Sequence, residues 1–193
     1  MSLQNPTIPI PTNPVEIDRA ILDLQAKLLA NLPWLSHGYA RAYIQREDTQ
    51  KVKFLFPSVY LGVGNKYLNI APDNDKKAQS LFLVTKETVL EYAIGQHNIL
   101  SYDVSIIFTA NLELVNKPLL ATEIFQANLV KDVRQVITRD LQPAVYSVEI
   151  SDIDLTFRDS YKEFQLSPET VLEKAPFTHF RVNCTFVLQE ECV

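Results

Sequence analysis

The 193-residue chain predicts an α+β fold: a mainly antiparallel, twisted sheet, with an N-terminal helix and a second long helix packed on one face, plus a β-hairpin extension. Three observations predict it. Two segments repeat apolar residues at helical spacing, several others alternate apolar and polar residues as half-buried strands do, and a glycine-rich turn joins two apolar runs. Composition agrees, with 47% hydrophobic and 21% charged residues, the balance of a folded globular chain. A domain of this size buries about 70% of its unfolded surface, so no disulfide or metal staple is required.

Residues 1–12 read as an extended proline-rich arm and residues 13–193 as a single α+β domain. Prolines at 6, 9, 11 and 14 fix φ and remove amide donors, so the arm cannot join a helix or the middle of a sheet. Between Pro9 and Pro11 and beside them, Ile8 and Ile10 are the arm's large apolar side chains. It is either a disordered leader or a strap on a neighbouring subunit, which proline has already stiffened for burial of both isoleucines. No secretion signal is expected in the first thirty residues, and no stretch reaches the roughly 18 apolar residues of a membrane span.

Asn13 is placed to cap the first helix, with Pro14 at its first position and Glu16 able to bond back. Ile17, Ile21, Leu24 and Leu28 form its stripe, Leu22, Leu29 and Leu32 widen it, and Pro33 stops it. Trp34 and Leu35 are expected to fold under as core. Strands follow at Tyr39–Glu47 and Lys53–Phe56. Val59-Tyr60-Leu61 and Tyr67–Ile70 then flank a Gly62-Val63-Gly64-Asn65 turn, a hairpin signature. That turn lacks the third glycine and following helix of a dinucleotide fingerprint. Pro72–Lys77 reads as a solvated loop, Ser80–Val84 as a short strand, and Thr85–Ile94 as a loop with one possible helical turn.

The clearest strand is Leu100–Phe108, with Leu100, Tyr102, Val104, Ile106 and Phe108 on one phase and Ser101, Asp103 and Ser105 on the other. A helix from about Thr122 to Asp140 carries the stripe Phe125, Leu129, Val133 and Val136. Tyr146, Val148 and Ile150 alternate with Ser147, Glu149 and Ser151, and the apolar phase then slips to Ile153, Leu155 and Phe157. The slip requires a bulge or bend near Ser151-Asp152. Ser167-Pro168-Glu169 opens a short helix that Pro176 closes. The last strand, Phe177–Leu188, sets Phe180, Val182, Cys184, Phe186 and Leu188 against His179, Arg181, Asn183 and Thr185.

Several chemistries are disfavoured. With 18 Lys and Arg against 23 Asp and Glu, the net charge of −5 does not suit a surface that wraps nucleic acid nonspecifically. Four glycines leave little material for phosphate loops. His37, His97 and His179 are far apart, and none has zinc-like spacing from Cys184 or Cys192. No G-x-S-x-G elbow occurs. Cys184 on the core phase is a poor nucleophile, because apolar burial raises a thiol pKa. A carboxylate pair such as Asp152 with Asp154, or Glu149 with Asp103 across strands, could in principle do acid–base work, but exposed sheet faces commonly carry such residues. No catalytic, cofactor or metal residues are therefore expected. Ser101, Asp103, Ser105, Ser147, Glu149, Arg181, Asn183 and Thr185 form instead a polar sheet face, suited to bulk water or to a wet lumen, and His179 is expected at solvent or an interface.

The opening VEIDRAILDLQAKLLANLP, the alternating LSYDVSIIFTANLELV and the helix TEIFQANLVKDVRQVITRD occur in an order that resembles the tail-terminator and neck (head–tail connector) proteins of tailed bacteriophages. The likeness covers roughly Asn13–Leu188. It implies a non-enzymatic structural subunit of a virion neck or tail, made in the host cytoplasm and needing no cofactor. It further implies a homo-oligomeric ring of six or twelve subunits around the DNA channel, beside portal-adaptor, neck or tail proteins. DNA would be passing cargo, and no membrane is involved. The hairpin YLGVGNKYLNIAPDNDKKAQSLF and the insert Asp159–Pro176 exceed the minimal pattern, so terminator, adaptor and neck-ring types stay open. Two alternatives remain: a small-molecule-binding domain or atypical enzyme centred on His179, Arg181 and Tyr102, and an adaptor subunit of a bacterial contractile or secretion machine.

Overall fold

The computed structural model describes residues 16–48, 53–62, 64, 66–70, 72, 75–90, 99–116, 125–139, 146–166 and 173–189. The arm with Ile8, Pro9, Ile10 and Pro11 lies outside them, as do Asn13, Pro14, Thr122, Cys192 and the short helix expected from Ser167.

Helix α1 (Glu16–Asn31) leads into strands β1 (His37–Asp48), β2 (Lys53–Tyr60), β3 (Tyr67–Asn69), β4 (Ala78–Leu90) and β5 (Ile99–Asn111). A short helix α2 (Leu112–Asn116) and the longer α3 (Phe125–Arg139) precede β6 (Tyr146–Asp154), the one-turn α4 (Phe157–Ser160) and β7 (Phe177–Gln189). The fold is α+β. Its seven strands lie in the order β3-β2-β1-β4-β5-β7-β6. Five neighbouring pairs are antiparallel and the β1–β4 pair is parallel, so the sheet is mixed. The parallel pair arises because β2 and β3 turn outward as a hairpin, and the chain then crosses back to lay β4 on the other side of β1.

β4 corrects the sequence reading most. It continues through Thr85 to Leu90 as a strand rather than a loop, paired with β5 from Ala78↔Ala110 to Leu90↔Ile99. A register shift between Val84 and Lys86 absorbs the break in pattern. The β-branched Thr88-Val89 suits a strand. Helix α2 was not anticipated either; the Asn111 Oδ1 accepts from the Glu113 amide at 3.1 Å and supports its first turn.

The expected slip in β6 is there: the register with β7 shifts between Ile150 and Asp152. The extra residue keeps Ile153 on the same side as Tyr146, Val148 and Ile150, against the main core. Leu155 and Phe157 do not continue that strand. Leu155 is exposed, and Phe157 begins α4.

The main core gathers Ile17, Ile21, Leu24 and Leu28 of α1, Phe125, Leu129, Val133 and Val136 of α3, and the inward phase of β5 and β7. At its centre Phe108 stacks on Phe180 with ring centroids 4.8 Å apart, and Trp34 meets both edge-on at 6.1 and 6.4 Å. The Trp34 indole N–H donates to Asp132 of α3 at 3.2 Å, which gives the buried ring a polar anchor.

Polar contacts set how α1 meets the sheet, among them the Asp18–Arg41 ion pair at 3.3 Å. Near the start of β1 the register with β4 shifts between Gly38 and Arg41, and Ala40 takes a left-handed φ of 46°. The amide of Ala40 donates to the Gln25 side chain of α1. A Cβ at Gly38 would come within 2.7 Å of the Gln25 side chain, which would have to shift away from its contact with Ala40. Farther along, the Tyr146 hydroxyl of β6 donates to Asp23 at 2.5 Å, and Lys27 pairs with the same carboxylate at 2.7 Å.

Partial burial alone would raise the Asp23 carboxyl, but the hydrogen bonds from Lys27 and Tyr146 outweigh it and hold it below its ordinary value. A lowered folded value means that this stabilisation is complete above the unfolded carboxylate value and is lost as pH falls through the folded one. Asp23 is 47% exposed, so solvent screens the contact and Tyr146→Phe should cost at most about 1 kcal/mol near neutrality. Thermal melts of the two proteins should converge below about pH 4.

Candidate functional site

The outward face of the sheet does not match the uniform polar surface that the alternation suggests. In the middle of β5 the polar phase gives way to Ile107 and Thr109, and Leu81 of β4 and Val59 of β2 lie on the same face. These join Tyr39, Ala42, Ile70 and Tyr161 in a second, smaller core. Apolar surface on both sides of a sheet must be covered on both sides.

The cover is the segment 155–166. It leaves β6, crosses the sheet and reaches β2, where Leu55 and Gln165 exchange two backbone hydrogen bonds of 3.0 Å each. Phe157, Tyr161 and Phe164 stand at spacings of four and three, so they share one side of the turn and face the sheet. Thr156 caps α4 by accepting from the Asp159 amide at 3.0 Å. Gln126 of α3 donates to the carbonyls of Leu155 and His179, at 2.9 and 2.7 Å, and ties the start of the crossing to β7.

Beneath it lies the densest polar network of the described residues. Arg181 of β7 is 2% exposed. Its guanidinium forms a two-pronged pair with Glu163, Nη1 to Oε2 at 2.5 Å and Nη2 to Oε1 at 2.7 Å. Nη2 also donates to Ser105 at 2.6 Å, and Nε to the Asn183 Oδ1 at 2.7 Å. Ser105 donates to the same Asn183 oxygen at 2.8 Å, while the Asn183 amide donates to Asp154 at 3.1 Å. Lys162 reaches Asp154 at 3.5 Å. Each prong of the guanidinium is thus occupied, as a buried charge requires.

Alongside, the Thr109 hydroxyl bridges the Tyr161 hydroxyl at 2.7 Å and His179 Nδ1 at 3.0 Å. The His179 ring meets Phe157 and Tyr161 edge-on, at 4.8 and 6.0 Å. Burial pushes the Tyr161 phenol up to about 12 against the opposing pull of Thr109. Hence this hydroxyl stays protonated across the physiological range and serves as a fixed connector.

The structure distributes the predicted polar-face residues unevenly. Asp103 and Glu149 are exposed at the uncovered end of the outward face, with Thr185 between them in register; Ser101 and Asn183 are half-buried. Ser105 and Arg181 are buried and do not line open water or a lumen. His179 is likewise buried rather than at solvent or an interface, because 155–166 closes over it. Tyr102 belongs to the main core on the opposite face, so His179, Arg181 and Tyr102 do not converge on one site. Glu163, Tyr161 and Thr109 were missed as partners. The aromatic spacing at 157, 161 and 164 was the available signal.

Cys184 is buried, and the apolar surroundings push its thiol up to about 12. The crossing segment also borders an open depression of about 430 Å3, lined by Phe157, Tyr161, Lys162, Phe164, Leu166 and Glu173 among others. Among the described residues no three His, Cys, Asp or Glu side chains are grouped to hold a metal ion, and no helix is long and apolar enough to cross a membrane. No protein-family model matches the chain, and a search of curated proteins finds no match.

The network's chemistry is cohesion between the crossing segment and the sheet. Glu163→Ala, which leaves the Arg181 charge buried and unpaired, should cost about 3 kcal/mol in urea unfolding. Arg181→Met combined with Glu163→Leu should lose much less, since no charge is stranded. For Cys184, a thiol reagent applied to a Cys192→Ser variant should label the native protein at least ~100-fold more slowly than the urea-unfolded chain.

Proposed function

We propose that this chain is a non-enzymatic structural subunit that assembles with copies of itself and with adjoining parts, in the manner of a phage neck or tail ring. The reading rests on one observation. The sheet is open at both ends, and of six exposed large hydrophobic residues among those described, five sit toward those ends. Ile44, Tyr60, Tyr67 and Leu68 lie on the β1–β2–β3 side, and Leu155 lies just beyond β6. Unpaired strand edges bearing exposed apolar side chains are surfaces on which further chains add.

The polar groups the sequence offers for chemistry support the same reading, since Arg181, Ser105, Asn183 and His179 are each engaged in holding segment 155–166 to the sheet. The assembled form proposed is a ring of six or twelve copies in the virion neck or tail, with portal-adaptor, neck or tail proteins as neighbours and DNA as passing cargo. The proline arm, with Ile8, Pro9, Ile10 and Pro11, would reach a neighbouring copy. Asp103 and Glu149 stay available on the uncovered part of the outward face, where an acidic wall would discourage DNA from adhering.

Sedimentation velocity over a concentration series tests the assembly. The expected outcome is a reversible shift from monomer to a discrete oligomer whose closed rings are visible by electron microscopy. Removal of residues 1–12 should weaken that association about tenfold or more without lowering the melting temperature of the monomer. A single monomeric species at every concentration, with or without the arm, would contradict the proposal.

A further inference from the structure

The two ends of the sheet differ, and they differ in a matched way. On the side that faces the helices, the β2–β3 end carries Tyr60 and Tyr67, with centroids 5.4 Å apart. The β6 end carries the half-buried Tyr146, Val148 and Ile150 on that same side. On the outward side the contrast is one of charge. Register places Lys53 of β2 and, one strand further in, Arg46 of β1 there, together with exposed Leu68, while Lys66 is exposed at the turn before β3. Asp48 is the register partner of Lys53, so basic residues outnumber acidic ones on this side. β6 presents Glu149, Asp152 and Asp154 outward, has no basic residue, and ends beside Leu155, 52% exposed.

We propose that the chain associates head to tail, the acidic β6 edge of one copy lying against the basic, aromatic β2–β3 edge of the next, so that the sheet runs on from copy to copy with its faces kept. The proposal rests on the self-assembly reading above and names the surfaces that carry it. With faces preserved, tyrosines meet the apolar row of β6 on the helix side, and lysines meet carboxylates on the outward side. Both complementarities hold in this one arrangement.

Pairing of β6 with another β6 is opposed, because it would bring the exposed Glu149 and Asp152 of one copy against those of the other. Pairing of two hairpin ends would oppose lysine to lysine in the same way. β3 has three residues, and the outer edge of β2 beside it is already bonded to Gln165 at Leu55, so main-chain bonding is confined to β3 and side chains carry most of the contact. A contact between unlike surfaces leaves each copy with one free end of each kind, and the chain of copies either closes as a ring or extends as a filament. The edges also set a salt dependence: association should weaken as ionic strength screens the charge contacts.

Two charge-reversed variants test this. One is Glu149→Lys with Asp152→Lys, the other Lys53→Glu with Lys66→Glu, and all four positions are exposed. Circular dichroism melts establish that each monomer is folded. Each variant alone should associate at least about tenfold more weakly than the parent by sedimentation velocity, and the equimolar mixture should regain parental association, because each reversed edge then finds an opposite partner. Parental oligomers that are indifferent to reversal, or a mixture that regains nothing, would overturn the head-to-tail contact and leave self-assembly standing. Loss confined to the β6 variant or to the hairpin variant, with the other unaffected, would point to like-with-like pairing and overturn it too. A parent protein that never leaves the monomer, with a mixture that does the same, would remove both readings together.

Discussion

The middle of β5 carries bulky side chains on both of its faces, and much of the rest of the structure follows from that constraint. Ile106 and Phe108 point into the space under α1 and α3, while Ile107 points the other way. Two helices supply enough apolar surface for the first face. Nothing regular is left for the second, so the link between β6 and β7 is drawn across it. Because the crossing part of that link brings only three aromatic rings, it is held by polar contacts at intervals: Gln126 near its start, Arg181 and Thr109 midway, and Leu55 at the far end. The buried guanidinium is best understood as a consequence of this economy. A charge is tolerated under the cover because Glu163, Ser105 and Asn183 together accept from all three guanidinium nitrogens.

The cover also explains why the outward face divides into two regions. Where 155–166 lies, Ser105, Thr109, His179 and Arg181 are buried, and their polarity serves cohesion. Toward the other end of β5, Asp103 with Thr185 and Glu149 stays uncovered. A single strand thus supplies anchors for the cover at one end and a solvated row at the other. The boundary falls between Asp103 and Ser105, two adjacent positions of the same phase.

How far this was legible depends on whether a signal was local. The stripes of α1 and α3, the β2–β3 hairpin and the phase slip of β6 each arise within a few neighbouring residues, and alternation or turn chemistry is enough to read them. Gly62 and Gly64 adopt the positive φ of 76° and 56° that the turn needs. The parallel β1–β4 pair could not be read that way, since it depends on which of two strand sides a returning chain selects. The continuation of β4 through Thr88-Val89 is secured by β5, a partner remote in sequence. For the candidate site the obstacle was similar. Ser105, His179 and Arg181 lie on a phase whose neighbours are polar, and their burial is decided by a segment whose own aromatics sit outside any strand. A closer clue was the unbroken apolar run Ile106-Ile107-Phe108, which is incompatible with one wet face.

The direction of segment 155–166 has a mechanical consequence. It runs across the strands rather than along them, fastened at β6 by covalent continuity, at β7 by Arg181 and at β2 by the clasp with Gln165. Force that spreads the sheet sideways therefore places this batten under tension, and several hydrogen bonds must yield together. Force applied along the strands only slides beneath it and is resisted by the ladders alone. A subunit gripped by its two sheet edges would therefore load this batten together with the ladders.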